Sequence, residues 1–339
     1  MCTRPLKGWQ IGFHPSGKPN YYITSYDAHH VEVGHDGKAV ACYTPQRSPY
    51  ACKVVREYKD IPCGRCVECR LNYSRQWADR CLLELQDHDE AYFVTFTYDN
   101  DHLPVVESID EETGLISLRS TLVKEDMQRF FKRLRKHQKV RYFMCGEYGS
   151  DTLRAHYHAI IYGLHIPDLK FYKQNFNGDN LYTSEWLSDL WHNKGYVIIG
   201  GVTWESCAYV ARYIMKKQTG KNAPYEKLGI LPEYVAMSRR PGIGRAYYDE
   251  HKKEIYENEF IHISTTKGGK KLRPSRYYDK LYDADFPEDF EKIREKRLQA
   301  FKNSKLIKES LTDLEYTDML KVKEETLLNR SRKLIRKEI

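Results

Sequence analysis

Residues 140–164, VRYFMCGEYGSDTLRAHYHAIIYGL, carry the strongest indication of the fold of this chain. Two runs within them, VRYFMCGEYG (140–149) and RAHYHAIIYGL (154–164), are rich in aromatic and β-branched residues, and a short polar segment separates them. This composition favours strands, and two strands so close in sequence pair as a hairpin. We therefore predict an antiparallel hairpin that belongs to a larger central sheet.

The second strand of this hairpin carries two histidines. Side chains alternate between the faces of a strand, so His156 and His158 share one face and Tyr157 takes the other. Pairing would bring Glu147, on the first strand, beside them. Two imidazoles and one carboxylate leave coordination positions of a metal ion open for water or phosphate oxygens. From the residues alone, a catalytic metal site and ordinary polar strand histidines both stay open.

The composition indicates a folded, moderately basic protein. Lys and Arg outnumber Asp and Glu by 55 to 47, a net charge of +8, which fits a polyanionic partner without requiring one. No apolar run approaches the ~18 residues of a membrane span, and no signal peptide is recognisable, so we expect a cytoplasmic protein without a membrane partner. The nine cysteines are odd in number and partly clustered, which favours metal ligands or buried thiols over disulfides.

Further periodic segments predict an α+β fold class. Apolar residues at helical spacing indicate helices over residues 71–86, 120–138 and 203–220. β-Branched and aromatic runs indicate strands over residues 91–98 and 195–203. We expect a central antiparallel sheet flanked by helices.

Three regions divide the chain by composition. Residues 1–87 form a cysteine-rich N-terminal region, residues 88–250 contain the predicted sheet, and residues 251–339 are charged and largely helical. No GxxxxGK[ST] motif occurs in the chain, so the sequence shows no sign of a P-loop motor.

Two tyrosines and a lysine lie on one stripe of the third predicted helix. Tyr209, Tyr213 and Lys216 follow one another at spacings of four and three residues. Such a stripe is usually core packing. A tyrosine hydroxyl, with a pKa of about 10, is a poor nucleophile, but a metal-bound phosphate and a nearby ammonium would assist it.

The cysteines of PCGRCVECR form a second candidate metal site. Cys63, Cys66 and Cys69 are spaced C-x2-C-x2-C, and zinc needs a fourth ligand. The candidates for it are Cys2, Cys42, Cys52 and Cys81. An iron–sulfur cluster or buried thiols are the alternatives, and we expect the site to staple the N-terminal region.

Two basic segments are candidates for binding DNA phosphates. The first is the predicted helix between Lys124 and Arg141, where a solvated helix face is the alternative. The second is the loop that contains Gly242-Ile243-Gly244, whose backbone N–H groups could also meet a phosphate unless the loop is an ordinary turn. The cations proposed as DNA contacts are Arg129, Lys132, Arg133, Lys136, Arg239 and Arg240.

The order of these motifs resembles the HUH endonuclease superfamily of rolling-circle replication initiators, in its two-tyrosine branch. A TFT strand precedes the HxH strand, and the YxxxYxxK helix follows. More closely, four segments within about residues 60–250 look like the replication initiators of gokushovirus-type microviruses: PCGRCVECRLNYSRQWADRCLLE, CGEYGSDTLRAHYHAIIYG, CAYVARYIMKK and MSRRPGIGRAYYDEH.

The resemblance assigns roles to residues. It implies that Glu147, His156 and His158 hold Mg or Mn, and that residues 88–250 form an HUH-type nuclease domain. Tyr213 matches the nucleophile that a lysine follows three residues later, here Lys216, and Tyr209 matches the second tyrosine. Two further residues, Thr95 and Thr97, fall on the first conserved strand and would support the site. Members often carry a cysteine at the extreme N-terminus, which favours Cys2 as the fourth zinc ligand.

The resemblance also implies an activity. The protein would nick single-stranded DNA at a replication origin, become attached to the 5′ end through tyrosine, and later rejoin strands, with a host helicase as partner in the bacterial cytoplasm. Two alternatives stay open: a non-enzymatic zinc-containing DNA-binding protein, and a metal-dependent hydrolase that uses water.

Overall fold

The structure is a computed structural model, and it describes residues 2–49, 51–109, 114–149, 152–216, 225–265 and 268–332. The chain divides into two compact units. Unit 1 contains Met1–Asn72 and Phe301–Arg336, and unit 2 contains Tyr73–Ala300 and Lys337–Ile339. None of the helices described is long and apolar enough to cross a membrane.

The described residues form strands and helices in the following order: β1 (Leu6–Phe13), β2 (Pro19–Thr24), β3 (His30–Val33), β4 (Ala39–Cys42), β5 (Lys53–Val55), β6 (Tyr58–Ile61), α1 (Val67–Leu85), β7 (Ala91–Phe96), β8 (Val105–Ile109), β9 (Ile116–Ser120), α2 (Lys124–Leu134), β10 (Arg141–Tyr148), β11 (Ala155–Tyr162), β12 (Lys170–Gln174), β13 (Asn180–Thr183), α3 (Glu185–Leu190), β14 (Val197–Gly201), α4 (Trp204–Lys216), β15 (Tyr234–Met237), α5 (Arg245–Asn258), β16 (Ile261–Thr265), β17 (Gly268–Leu272), α6 (Arg276–Asp285), α7 (Pro287–Ser310) and α8 (Tyr316–Arg332).

Unit 1 is built on two small antiparallel sheets. Their strand orders are β2-β1-β6 and β4-β3-β5. Its core is small, with Trp9, Ala28 and Val31 fully buried. The Trp9 indole N–H donates to the Thr24 hydroxyl at 2.9 Å, which satisfies the polar atom of that buried ring.

Unit 2 contains a seven-stranded antiparallel sheet in the order β12-β13-β14-β7-β11-β10-β15. The predicted hairpin is confirmed: β10 and β11 pair over their whole length, with Glu147 opposite His156 and Cys145 opposite His158. The α+β class and the large antiparallel sheet are therefore as predicted.

Each face of this sheet is covered by different helices, because alternate strand residues point to opposite sides. One face buries Ile160 against α4 and against Ala78 of α1, and we call it the α4 face. The other buries Tyr157 and Ile161 against α2 and Trp191, and we call it the α2 face.

Helix α2 is shorter than the segment predicted as helical, residues 120–138. The backbone of Val123 is extended, and its N–H donates to the Tyr157 hydroxyl at 2.8 Å, so the helix begins only at Lys124. A tertiary hydrogen bond to a side chain of the sheet thus fixes the start, which helical periodicity alone could not indicate.

Candidate functional site

The histidine pair and Glu147 meet on the α4 face. Glu147 and His156 lie directly opposite on β10 and β11, and His158 is one step diagonal to them. The Nε2 atoms of both histidines lie 2.9 Å from Glu147 Oε1. The carboxylate is almost fully buried, at 1% exposure. These three side chains, which we call the triad, offer ligand atoms within 4.8 Å of one another, so they could hold one metal ion.

The hydrogen bonds of His156 show that this triad suits a cation. Its Nδ1 lies 3.0 Å from the carbonyl oxygen of Arg154, which can only accept, so Nδ1 carries the proton. Nε2 of the neutral ring then presents a lone pair to the Glu147 carboxylate, which also only accepts. Two acceptors at 2.9 Å require a proton or a metal ion between them. Burial alone raises the pKa of Glu147, but the histidine contacts outweigh it and leave the pKa below its ordinary value.

Residues of β7 support His158 from behind. Thr95 Oγ1 lies 2.9 Å from His158 Nδ1, and the ring of Phe93 stacks on the imidazole with centroids 5.5 Å apart. Such contacts fix the orientation of a ligating histidine. Thr97 has a different position, because its hydroxyl donates to the carbonyl of Tyr196 at 3.1 Å.

Tyr209 lies beside the triad. Its hydroxyl is 3.4 Å from Glu147 Oε1, and its ring meets His158 edge-on with centroids 5.0 Å apart. It comes from α4, whose buried Ala208 and Ala211 are small and let the helix approach the sheet. Thr203, predicted as the cap of this helix, accepts from the Ser206 N–H at 3.2 Å.

The side chains of Tyr213 and Lys216 lie outside the described residues. The backbone of α4 is described as far as Lys216, and its side chains as far as Arg212. Residue 220, predicted to end the helix, is also outside the described residues. The roles of these two side chains therefore stay predictions.

The four cysteines predicted as metal ligands come together in unit 1. Cys2 Sγ lies 3.5 Å from Cys63 Sγ and 3.6 Å from Cys66 Sγ, and Cys69 completes a group of ligand atoms within 4.8 Å of one another. Tetrahedral zinc with bonds of ~2.3 Å places sulfurs about 3.8 Å apart, so the spacing fits this metal.

Backbone amides in this cysteine cluster favour thiolates. The Cys66 N–H donates to Cys63 Sγ at 3.3 Å, and the Cys69 N–H to Cys66 Sγ at 3.5 Å. Burial raises the pKa of the Cys66 thiol, but hydrogen bonds from Thr3 and Cys69 outweigh it and bring the pKa to about 6. The cluster is therefore suited to ligate a cation.

A third group of metal-ligating residue types, on β3 and β4, is satisfied without a metal. His30 Nε2 lies 3.1 Å from Glu32 Oε1, and the Ser48 N–H donates to the same oxygen at 2.7 Å. Cys42 faces His30 across the strands. The buried Nδ1 of His30 has no partner among the described residues. A ligating histidine needs Nδ1–H paired, so the simple hydrogen bond from Nε2–H to Glu32 accounts for this group better.

The basic residues of α2 lie on the side of the sheet away from the triad, because α2 packs on the α2 face. Arg133 donates to the carbonyl of Leu190 at 2.8 Å, and Arg129 approaches Asp126 at 3.7 Å. Lys132 and Lys136 line an open groove of about 420 Å³ together with Gln128, Phe131, Arg135 and Tyr142.

Arg239 and Arg240 lie at the end of the sheet away from the triad. They follow β15, in which Met237 pairs with Phe143, four residues from Glu147 on β10. At ~3.3 Å per residue this separation is about 13 Å. Both arginines are exposed.

The glycine loop after these arginines is held by two buried charges of α1. The Gly244 N–H donates to Glu84 Oε2 at 2.6 Å, and Arg80 donates to the carbonyl of Ile243 at 2.7 Å. This amide is therefore engaged by a carboxylate. No sequence motif indicated Arg80 or Glu84; their i, i+4 spacing within an apolar helical stripe is the one signal that could have found them.

A buried carboxylate just before β15 is a second residue that the sequence did not indicate. Glu233 is 7% exposed, and one of its oxygens accepts from the Tyr148 N–H at 3.4 Å. Burial, with a smaller contribution from the charge of Glu147, raises its pKa. It follows no motif, and it comes near the triad through the pairing of β15 with β10.

Comparisons with known proteins agree with this arrangement. Residues 91–218 match the family model of the ORF2 type of replication-associated protein. The chain is 33% identical over 285 residues to the replication-associated protein ORF2 of Spiroplasma virus 4, a match that covers 81% of this chain and 85% of that protein. It is 30% identical to the replication-associated protein VP4 of Bdellovibrio phage phiMH2K, over 67% of this chain and 69% of that protein.

A third relative is more distant. The replication-associated protein ORF4 of Chlamydia phage 1 is 26% identical over 75% of this chain and 63% of that protein. No solved structure matches the chain significantly.

Proposed function

This chain belongs to the family of replication-associated proteins of small phages, and from that premise we propose that it initiates rolling-circle replication. In this proposal it nicks single-stranded origin DNA, holds the 5′ end as a phosphotyrosine and later rejoins strands. The observation that supports nicking most directly is the Tyr209 hydroxyl, 3.4 Å from the carboxylate of the triad.

The reaction is a transfer of one phosphodiester bond. A tyrosine oxygen forms a bond to the scissile phosphorus, the bond from phosphorus to the 3′ oxygen breaks, and the leaving 3′ oxygen takes a proton. The tyrosine gives up its own proton as it attacks. In rejoining, a 3′ hydroxyl attacks the phosphotyrosine and the tyrosine is released. The bond energy is conserved, so no ATP is needed, in agreement with the absence of a P-loop motif from the sequence.

Glu147, His156 and His158 would hold the divalent ion, which we take to be Mg or Mn. A bound divalent cation supplies a positive charge that polarises the scissile phosphate. The protein orients these ligands: Thr95 and the carbonyl of Arg154 fix the two imidazoles, so that both Nε2 atoms face the carboxylate.

Tyr209 and Tyr213 would share the two transfers. Four residues of helix advance ~6 Å, so both can serve one phosphate site. One tyrosine would hold the 5′ end of the displaced strand while the other attacks the regenerated origin, with Lys216 stabilising the developing charge.

In unit 1 we propose a structural zinc ion held by Cys2, Cys63, Cys66 and Cys69. The donor set is four sulfurs, with N–H···S hydrogen bonds that stabilise thiolates. The ion would fix the segment before β1 to the start of α1.

A covalent adduct assay tests the function. The protein is incubated with Mn²⁺ and single-stranded oligonucleotides that tile the genome encoding it, and the products are separated under denaturing conditions. We expect a protein–DNA adduct that a Tyr209→Phe/Tyr213→Phe double variant cannot form. Full adduct formation by that variant would overturn the proposal. Salt-sensitive DNA binding with no adduct would favour a non-enzymatic zinc-containing DNA-binding protein, and cleavage with no adduct would favour a water-using hydrolase.

A further inference from the structure

Beyond the triad, the α4 face of the sheet continues across β7 and β14 to the edge strand β12. We infer that this part of the face, which we call the β14 platform, binds the single-stranded DNA next to the scissile phosphate through a stacked base on Tyr196 and a phosphate on Lys170. The inference rests on the proposed function, whose DNA substrate it positions.

The strand register connects Tyr196 with the triad. Tyr157 pairs with Phe96, and Phe96 pairs with Val197. The next residue along each strand is His156, Thr97 and Tyr196, which therefore form one row across three strands and share a face. Two hydrogen bonds extend the pairing to this row: the Thr97 N–H donates to the Tyr196 carbonyl at 3.0 Å, and the Tyr196 N–H donates to Thr97 Oγ1 at 3.1 Å.

Tyr196 is well placed to stack on a base. Its side chain is 74% exposed, although its neighbour Val197 is buried on the α2 face. Two strand spacings separate it from His156, or about 10 Å. Stacked nucleotides advance ~3.4 Å each, so a base on Tyr196 would lie a few nucleotides from a phosphate at the triad.

The loop before Tyr196 holds this residue in a defined position. His192 and Asn193 have φ values of 62° and 50°, in the left-handed region that side chains rarely adopt. Gly195 follows with φ 153°, and a Cβ there would lie 2.5 Å from the Thr97 carbonyl oxygen. Strain of this kind persists only where the surroundings enforce it, which favours a pre-organised binding residue over a loose loop.

Edge strand β12 adds positive charge to the same face. Its sequence, KFYKQ, contains two lysines and no acid, and all five residues are exposed. Lys170 pairs with Thr183. Tyr182 pairs with Ile199 on the α2 face, so Thr183 and Lys170 point to the α4 face. A cation about four strand spacings, or ~19 Å, from His158 suits the backbone of a strand laid across the sheet.

Binding of a fluorescent oligothymidine of about 20 nucleotides tests the platform, because stacking tolerates any base. Anisotropy is measured in EDTA, so that no cleavage contributes. We expect Tyr196→Ala to weaken binding about tenfold, and Tyr196→Phe, which keeps the ring, to stay within about twofold of wild type. Phe171→Ala is the matched control: Phe171 is also exposed, at 57%, but its partner Tyr182 lies on the α2 face, and we expect no change.

The contribution of Lys170 is measured by salt. Lys170→Gln should lower the slope of log K against log salt by about 0.7, the value for one single-strand phosphate contact. Wild-type affinity in Tyr196→Ala, or an equal loss in Phe171→Ala, would overturn the platform and leave the exposed ring to another kind of partner. The adduct assay of the wild-type protein separates the two proposals. Adduct formation with no effect of Tyr196→Ala overturns the platform alone, and loss of binding in Tyr196→Ala without any adduct supports the platform but not the nuclease.

Discussion

At the scale of single residues, the geometry of the triad depends on side chains that do not themselves reach the carboxylate. Thr95 and the carbonyl of Arg154 occupy the Nδ1 positions of the two histidines. This leaves both Nε2 atoms for a cation beside Glu147. A supporting hydroxyl of this kind typically changes metal affinity by 10- to 100-fold.

Thr95→Val removes this hydroxyl with little change in shape. We expect the Mn²⁺ concentration for half-maximal adduct formation to rise roughly tenfold, because His158 loses its orienting contact. Thr97→Val is the control, since its hydroxyl serves the backbone of Tyr196 instead. An unchanged Mn²⁺ dependence in Thr95→Val would contradict the assigned support.

Gly146 is a residue whose missing side chain matters. A Cβ there would lie 2.8 Å from Tyr234 Cε1 and 3.1 Å from both Leu122 Cδ2 and Tyr157 Cδ1. We expect Gly146→Ala to lower the free energy of unfolding by about 1–3 kcal/mol through overpacking. Urea denaturation measures it. Gly201→Ala, on β14 with no described atom within 4 Å of the added methyl group, should be near neutral. Equal stability of the two variants would show that the Gly146 surroundings relax.

At the scale of elements, the buried pair of α1 secures the glycine loop after β15. Glu84 accepts from Arg141 and from the Gly244 N–H. Burial raises its pKa, but the contacts with His88, Arg141 and Gly244 outweigh it, so the pKa lies below its ordinary value. A carboxylate with a depressed folded pKa adds stability that is present above its unfolded pKa and is lost as the pH falls through the folded one.

The expected pH dependence follows from that sign. Glu84→Gln should unfold with about 3 kcal/mol less free energy near neutral pH, because Arg141 loses a buried partner. The gap to wild type should be constant above about pH 5 and narrow as the pH falls below ~4.3, the ordinary glutamate pKa. Urea titrations between these limits measure it. A gap that is independent of pH would show that Glu84 acts through packing alone.

Helix α2 carries its cations on the far side of the sheet from the triad. We expect Lys132→Gln/Lys136→Gln to reduce the salt dependence of binding to long DNA, since two phosphate contacts would be lost. The rate of adduct formation at a saturating short oligonucleotide should stay within about twofold of wild type, because a short strand at the triad does not reach the other face. A tenfold lower rate would place this helix close to the reacting strand.

At the scale of the whole molecule, unit 1 joins the two ends of the chain. Glu324 of α8 accepts from Thr3 Oγ1 at 3.1 Å and from Arg4 Nε at 2.7 Å, directly after Cys2. Lys323 lies 3.5 Å from Glu68, between two of the clustered cysteines. The cysteine cluster therefore fixes the segment to which the C-terminal helix is bonded.

Loss of the metal should release this helix. We expect Cys63→Ser to lose one zinc per chain and to become sensitive to protease within α8, because Thr3 and Arg4 are no longer held. Metal analysis and limited proteolysis with mass spectrometry measure this. Cys52→Ser is the matched control, since Cys52 is exposed and outside the cluster. Protection of α8 in zinc-free Cys63→Ser would show that its ion pairs suffice.

Features that depend on local pattern could be predicted from the amino-acid sequence. Alternation in residues 140–164 predicted the hairpin and the shared face of His156 and His158, because strand geometry has a period of two. Motif order indicated the family, and cysteine spacing indicated three of the four clustered ligands. Each of these features depends on a few neighbouring residues, so the sequence carries it without knowledge of the packing.

Which distant groups meet could be learned only from the packed chain. The position of Tyr209 beside Glu147, the joining of Cys2 to the cluster, and the separation of α2 from the triad all depend on how elements pack. Helical periodicity indicates that a helix has an apolar face but not which side of a sheet receives it. The basic residues of α2 are near the triad in sequence, but a sheet stands between them because that apolar face is buried on the side opposite the histidines.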